Sequence, residues 1–378
     1  MGSQARHSGN RRPMGRTNID RLAGLMLMAV LLFGQQPTTT WGQTSSPMVR
    51  VKIDQRPYVG LPLSLEGQQL ALLRRDGRLS RLTLDPNTTV VETVADSFVP
   101  YSPDQMKRRL EREFGSRYQV TPTEHFLVVH PPGQAQSWAR PFQNHYLQLA
   151  QYFQMRGVSL ERPQFPLVAV VLRSRVEFDR FLRDYHDYNS ELVGYYSPVS
   201  NRVITYDRTE GRDPASMWRE NGRTIIHEAT HQIAFNTGLH RRFQETPRWV
   251  SEGLAMYFEA LGLRDPSRYS RPEHRLDPGR LAMVQTYYRQ GKLKGLLESM
   301  VVSDDPFRHD PQAAYALSWG LTYYLAETMP DRYSKFLRQD LPPDPNSRAR
   351  QFAKTFGRDL GELDARLKAY LMALEIPR

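Results

Sequence analysis

The sequence predicts an α+β protein in which a small N-terminal β module precedes a larger unit with a mixed sheet and a helical C-terminal half. Three observations carry that expectation. Short alternating apolar segments fill residues 48 to about 100. Two continuous apolar runs, HFLVVH (125–130) and FPLVAVVL (165–172), suit buried strands. From Met217 onward the apolar spacing is almost entirely helical, and strands first with helices afterwards is an α+β arrangement. With 378 residues and 39% hydrophobic content, the chain has apolar material for one large domain or two ordinary ones.

The first 42 residues read as a secretory signal peptide. Arg6, Arg11, Arg12, Arg16 and Arg21 stand against Asp20 alone, the run LAGLMLMAVLLF (22–33) follows, and a polar stretch ends at Thr40-Trp41-Gly42. Twelve apolar residues span about 18 Å as a helix, short of the roughly 20 residues a bilayer core demands. A stable membrane span after cleavage is therefore not expected, and the mature protein is expected to be secreted or periplasmic, or signal-anchored if cleavage fails. The net charge of +11 is carried by arginines scattered among acids, which describes a mildly basic solvated surface and not a nucleic-acid groove. No cysteine is present, so disulfides and lipid-modified cysteines are excluded, and any metal must be held by nitrogen or oxygen.

In residues 43–100 the strand-like segments are VRVKI (49–53), LPLSL, LALLR and LSRLTL, with Asp76-Gly77 placed as a hairpin turn whose two residues both tolerate positive φ. The larger unit, 101–378, opens with Ser102 as an N-cap, Pro103 in the first helical turn and Gly115 as the stop after Met106, Leu110 and Phe114. A helix over 138–156 separates the two apolar strands, and a further helix is expected over 176–185. Residues 193–197 and 202–206 bracket Pro198-Val199-Ser200-Asn201 as a hairpin.

The chemistry concentrates in TIIHEATHQIAFNTG (224–238). Its apolar positions favour a buried helix ended by Gly238, which sets His227 and His231 one turn apart on one face with Glu228 beside them. Two imidazoles at that spacing suit a metal ion, although taken alone the pattern also fits two histidines satisfied in a core. Downstream, Thr246-Pro247 offers a cap and a first-turn proline for the helical run RWVSEGLAMYFEALG (248–262). Antiparallel packing of the two helices brings Glu252 to the histidine pair as a third, anionic ligand. Two neutral imidazoles and one carboxylate leave a Zn²⁺ ion with net positive charge and an open position, the catalytic and not the structural pattern.

HEATH followed by WVSEGLA resembles the gluzincin metallopeptidases, which pair HExxH with a later Glu. More broadly, LLRRDGRL, FPLVAVVL, VGYYSPVSNRV, HEATHQIAFNTGLHRR and AYALSWGLTYYLAE resemble a mostly exported bacterial peptidase MA-like family of unknown function. The resemblance implies a gluzincin-like catalytic unit with His227, His231 and Glu252 as zinc ligands and Glu228 as the catalytic carboxylate. It implies peptide-bond hydrolysis, with a water activated by zinc and Glu228 and a peptide or protein as substrate. Gluzincins often supply an oxyanion donor from a later helix. Tyr315 in AAYALSWGLTYYL fits that role, or packs in the core with Trp319, Tyr323 and Tyr324.

Glu259, seven residues after Glu252, either orients a ligand histidine or makes a surface ion pair. Met256 stands where some thermolysin-like enzymes carry an acid four residues after the third ligand, so their surrounding shell does not transfer. The hairpin around Tyr195, Tyr196 and Asn201 is either a substrate-pairing edge or an ordinary sheet edge. His125 and His130 flank a strand, His240 follows the expected helix end, and His145, His186, His274 and His309 lack a partner at ligand spacing. Two other functional classes remain open: a non-catalytic, zinc-stabilised cell-surface binding protein, and a zinc hydrolase of a non-peptide amide.

Overall fold

The computed structural model describes residues 47–85, 88–184, 192–208, 214–342, 344–357 and 359–376. The expected signal peptide and its cleavage site lie outside them, as does His186. The chain divides into two compact units that meet in sequence between Tyr101 and Ser102.

Unit one is a five-stranded antiparallel sheet. Its strands are β1 (Met48–Ile53), β2 (Arg56–Glu66), β3 (Gln69–Arg74), β4 (Leu79–Thr83) and β5 (Val90–Ala95), ordered β4-β3-β2-β1-β5. Alternation turns Val49, Val51, Leu70, Leu72, Leu82 and Leu84 to one face, where they bury each other. The two-residue turn with positive φ at both positions is Asp54-Gln55, between the paired residues Ile53 and Arg56. Asp76-Gly77, expected to be such a turn, belongs to a wider loop in which Gly77 alone has positive φ. There Arg74 and Arg78 close the ladder, the Gly77 amide donates to the Arg74 carbonyl, and the Asp76 carboxylate accepts from the Arg78 amide. A type I turn followed by one left-handed residue needs glycine only at its end, which is why Asp76 keeps negative φ.

Unit two is built on a mixed sheet ordered β6-β7-β8-β10-β9, from Gln119–Pro122, Phe126–His130, Leu167–Leu172, Gly194–Ser197 and Arg202–Tyr206 taken in chain order. Strands β7, β8 and β10 run parallel, and the flanking pairs are antiparallel. Every side chain of β8 is buried, as expected of a central parallel strand covered on both faces. The helices α1 (Pro103–Phe114), α2 (Ala135–Gln154), α3 (Arg175–Asp184) and α4 (Pro214–Asn236) alternate with these strands. Ser102 caps α1 with a full capping box through Gln105, as its Ser-Pro signature predicts. The helical half follows: α5 (Arg248–Phe258), α6 (Leu261–Arg264), α7 (Pro278–Arg289), α8 (Leu296–Val302), α9 (Pro306–His309), α10 (Pro311–Thr328), α11 (Pro330–Phe336), α12 (Pro345–Phe356) and α13 (Leu360–Ala373). The architecture is α+β. No helix among the described residues is long and apolar enough to cross a membrane.

One continuous core joins the sheet to these helices, and α5 lies inside it: Trp249, Val250, Leu254, Ala255, Met256, Tyr257 and Phe258 are all buried. Its partner α10 approaches so closely that a Cβ on Gly253 would stand 2.2 Å from Thr322 Oγ1 and 2.8 Å from the Ser318 carbonyl oxygen. Only glycine fits there, and the residue it positions is the adjacent Glu252.

Candidate metal centre

Helix α4 ends at Asn236, just before Gly238 turns the chain at φ 79°. The helix it leads into, α5, does not start as expected. Thr246 supplies no cap. Pro247 occupies the N-cap, and the exposed amide of Arg248 donates instead to Asp304 Oδ1 at 2.9 Å. A carboxylate 56 residues away does what a local hydroxyl was expected to do.

The two helices bring three donor atoms to one point. His227 Nε2 lies 3.2 Å from His231 Nε2 and 3.3 Å from Glu252 Oε2, and the third side, His231 to Glu252, is 3.8 Å. Among the described residues this is the one group of three such side chains able to hold a metal ion. The side chains keep 20%, 11% and 17% of their exposure, so the point is recessed yet open to a small molecule.

The electrostatics show how the group could hold a cation. Burial disfavours charge on His227, but hydrogen bonds to Glu252 and Glu259 outweigh it and raise its pKa well above the ordinary value. His231, for which burial dominates, is pushed the other way. For Glu252, too, burial is outweighed, chiefly by the His227 hydrogen bond, which holds its carboxyl at about 2. Three lone-pair atoms thus face one another across less than 4 Å with one proton to share, the arrangement a metal ion replaces when ligands are deprotonated on binding.

Glu259 is the side chain behind that centre. It is buried, with Oε1 2.9 Å from His227 Nδ1, so the imidazole presents Nε2 to the metal point. Its other oxygen accepts from Arg223 at 2.6 Å and Arg280 at 2.7 Å, and Arg223 also reaches Asp277 at 2.9 Å. Burial alone would raise the Glu259 pKa; the His227 hydrogen bond and the arginines hold it at about 2. A buried carboxylate with both oxygens committed is a fixed acceptor, and a surface ion pair is ruled out by its burial.

Glu228 sits on the other side. Its Oε2 accepts from the backbone N–H of Tyr196 at 2.8 Å, which places the edge strand β9 against α4. The approach requires Gly194, where a Cβ would meet Thr224 Cγ2 at 2.4 Å and Glu228 Cγ at 3.0 Å. The hairpin is tied down as well: Tyr196 OH donates to Asn201, Asn201 and Asn236 exchange side-chain amide bonds at 2.8–2.9 Å, and Gln232 Nε2 donates to the Asn201 carbonyl. Asn201 itself turns the chain at φ 57°, a left-handed conformation that asparagine tolerates. Burial pushes the Glu228 carboxyl up to about 7, with His227 opposing.

Tyr315, on α10, is half-buried, and its hydroxyl accepts from Arg248 at 2.8 Å. Burial raises its pKa first and the negative charges of Glu252 and Glu228 add to it, so the phenol shares their electrostatic field. Trp319, Tyr323 and Tyr324 are buried in the core. The remaining described histidines are engaged elsewhere or alone: His125 with Gln143, His130 with Thr121, His145 with Thr230, His240 with the Leu239 carbonyl, and His274 stacked edge-on to Tyr269.

Sequence reasoning left Arg223, Arg280 and the Tyr196 amide unseen. Arg223 stands on α4 itself, one turn before His227, but its partners Glu259 and Asp277 come from outside α4; Arg280 comes from α7 and the amide is backbone, so only Asp277-Pro278 carries a readable N-cap signature. Residues 221–344, which include α4 from residue 221 on and all of α5 and α10, are similar to a family described as "Protein of unknown function (DUF1570)". No curated protein matches the chain.

Proposed function

We propose that this protein is a zinc-dependent peptide hydrolase that works outside the cytoplasm. The observation that carries the reading is a carboxylate, Glu228, locked by a backbone amide beside a recessed group of two imidazoles and one carboxylate. The donor set fits zinc. Metal–ligand bonds of about 2.0–2.2 Å at tetrahedral angles set neighbouring donors roughly 3.3–3.6 Å apart, close to the separations of 3.2, 3.3 and 3.8 Å among His227, His231 and Glu252. All three donors are nitrogen or oxygen, as a chain without cysteine requires, and three protein ligands leave a fourth position open.

When bound, zinc would supply Lewis acidity toward a peptide carbonyl and lower the pKa of water towards neutrality. Glu228 takes the proton of the attacking water and returns it to the leaving amine, a task that suits a carboxyl whose pKa lies near neutrality. A cation at the neighbouring ligands favours its ionised, base form. The Tyr196 amide fixes one Glu228 oxygen and leaves the other for the water. Tyr315 donates its hydroxyl hydrogen to the developing oxyanion, while its oxygen stays anchored by Arg248. Strand β9, at the edge of the sheet and beside Glu228, is placed to pair with an extended peptide. Export rests on the basic leader and short apolar run of the first 42 residues.

Metal analysis combined with hydrolysis of a peptide library tests the reading. The wild type is expected to hold one zinc and cleave peptides, and Glu228→Gln to keep the zinc while losing about 10²–10⁴-fold in rate. Equal inactivity of the two zinc-loaded proteins on every peptide would remove the catalytic reading.

A further inference from the structure

Beside the metal point stands a cation with no acid to pair with. Arg248 opens α5, one helical turn before Glu252 on the same face. It is exposed, and among the described residues its guanidinium has no carboxylate partner. The neighbouring Asp304 is taken by the Arg248 backbone amide. The contrast with the other arginines of the site is sharp: Arg223 and Arg280 are spent on Glu259 and Asp277.

Long unpaired arginines on surfaces ordinarily sample many rotamers, and ordering one carries an entropy cost. Arg248 is ordered by aromatic contacts instead. Its guanidinium carbon lies 5.1 Å from the Phe307 ring centre and 5.5 Å from that of Tyr315, and one terminal nitrogen donates to the Tyr315 hydroxyl at 2.8 Å. Phe307 and Tyr315 themselves pack edge to face at 5.2 Å, so the platform is rigid. Its charge is felt at the reaction point, since it lowers the pKa of both Glu252 and Tyr315. A planar fork held on two rings, with donors still free, is built for a planar, two-oxygen anion.

We propose that Arg248 determines substrate specificity by pairing with a carboxylate of the peptide, either its free C-terminus or an Asp or Glu side chain next to the scissile bond. The proposal rests on the peptide-hydrolase reading and adds the substrate class. Glu259 is neutralised by Arg223 and Arg280 and Glu252 belongs to the metal group, so the charge of Arg248 is left to attract a substrate carboxylate at one position.

The test compares three versions of one cleavable peptide: free C-terminal acid, C-terminal amide, and amide with a Glu placed beside the cleaved bond. In the wild type, kcat/KM for one of the two acidic peptides exceeds that of the neutral amide by roughly tenfold or more, and which one it is identifies the source of the carboxylate. Arg248→Gln brings that ratio close to one, and Arg248→Lys, which keeps the charge without the fork, leaves an intermediate ratio. The ratio isolates recognition from the support Arg248 gives Tyr315, because the latter affects all three peptides alike. A wild type without preference among the three, or a preference that survives Arg248→Gln, overturns the proposal. To separate this from failure of the hydrolase reading, binding of the same peptides is measured by calorimetry on zinc-loaded Glu228→Gln. There the acidic peptide binds more tightly than the amide and loses that advantage in the Arg248→Gln double variant; equal binding of all three overturns the proposal whether or not any peptide is cleaved.

Discussion

The two units of this chain follow opposite rules about what they bury. In the β unit the interior is aliphatic, Val49, Val51, Leu70, Leu72, Leu82 and Leu84, and the buried polar groups among the described residues are Asp76 in a loop and Thr89. The second unit places Glu259, His145, His231, Gln232, Thr230, Ser318 and Thr322 in or against its core. Burying a polar or charged group is costly unless it is bonded, and the bonds found here are specific: Glu259 has three charged partners and Gln232 two carbonyls. A core of the first kind stabilises a fold; one of the second kind also fixes side chains in orientations that water would randomise. The difference marks where the candidate metal centre lies.

That comparison is open to attack from the β side first. Leu72 is fully buried, and Leu72→Ala removes its packing and leaves a cavity, at a cost of about 2–5 kcal/mol. Thermal unfolding should reveal this as an early loss of the β unit, while zinc content and kcat/KM below that transition stay at wild-type values. A matching fall in kcat/KM would mean that the aliphatic core also organises the site.

The complementary change leaves packing volume intact and removes one charge. Glu259→Gln keeps the shape behind His227 but weakens the acceptor for its Nδ1–H and leaves Arg223 and Arg280 facing a neutral amide. Zinc affinity should fall about 10–100-fold, read by competition with a chromophoric chelator. An unchanged affinity would reduce Glu259 to a structural ion pair.

How much of this was legible in the sequence depends on how local each signal is. The HEATH helix, its end at Gly238, the edge hairpin and Glu252 on the next helix are encoded by spacing within a turn or two, and each stands where the pattern placed it. The capping of α5 was not legible, because Asp304 reaches Arg248 from a distant segment and no local rule anticipates a tertiary cap. Nor was the wider loop at Asp76-Gly77, since a DG pair fits both a two-residue turn and the end of a three-residue one, and cross-strand register decides between them. Gly253 lies inside a helix and Gly194 in a strand, places where local rules alone disfavour glycine. Their purpose is close approach, visible only once α10 and α4 are in place.

The smallest effect sharpens the comparison most, because it needs no mutation. Residues 43–100, which carry the β sheet, contain no histidine. In the second unit His145 is fully buried against Thr230, and burial depresses its pKa to about 3; His240 is depressed to about 4 by burial, with the Leu239 carbonyl opposing. A histidine with a folded pKa below its unfolded value of about 6.5 stays neutral in the fold while the unfolded chain takes up the proton. Its contribution to stability is complete above pH 6.5 and declines as pH falls from there towards 3 or 4. Between pH 7 and pH 6 the loss is under about 1 kcal/mol for each histidine. Glu228 and His227, whose pKa values are raised, oppose this loss over the same interval, so calorimetry at the two pH values should show it as the part of the helical unit's melting-temperature shift that depends on His145, with the β unit's melting temperature left in place. His145→Gln, which keeps a partner for Thr230 without a titrating ring, should remove part of the shift. Equal shifts in both units, or a shift that His145→Gln leaves whole, would mean that the buried polar groups of the second unit do not set its response to acid.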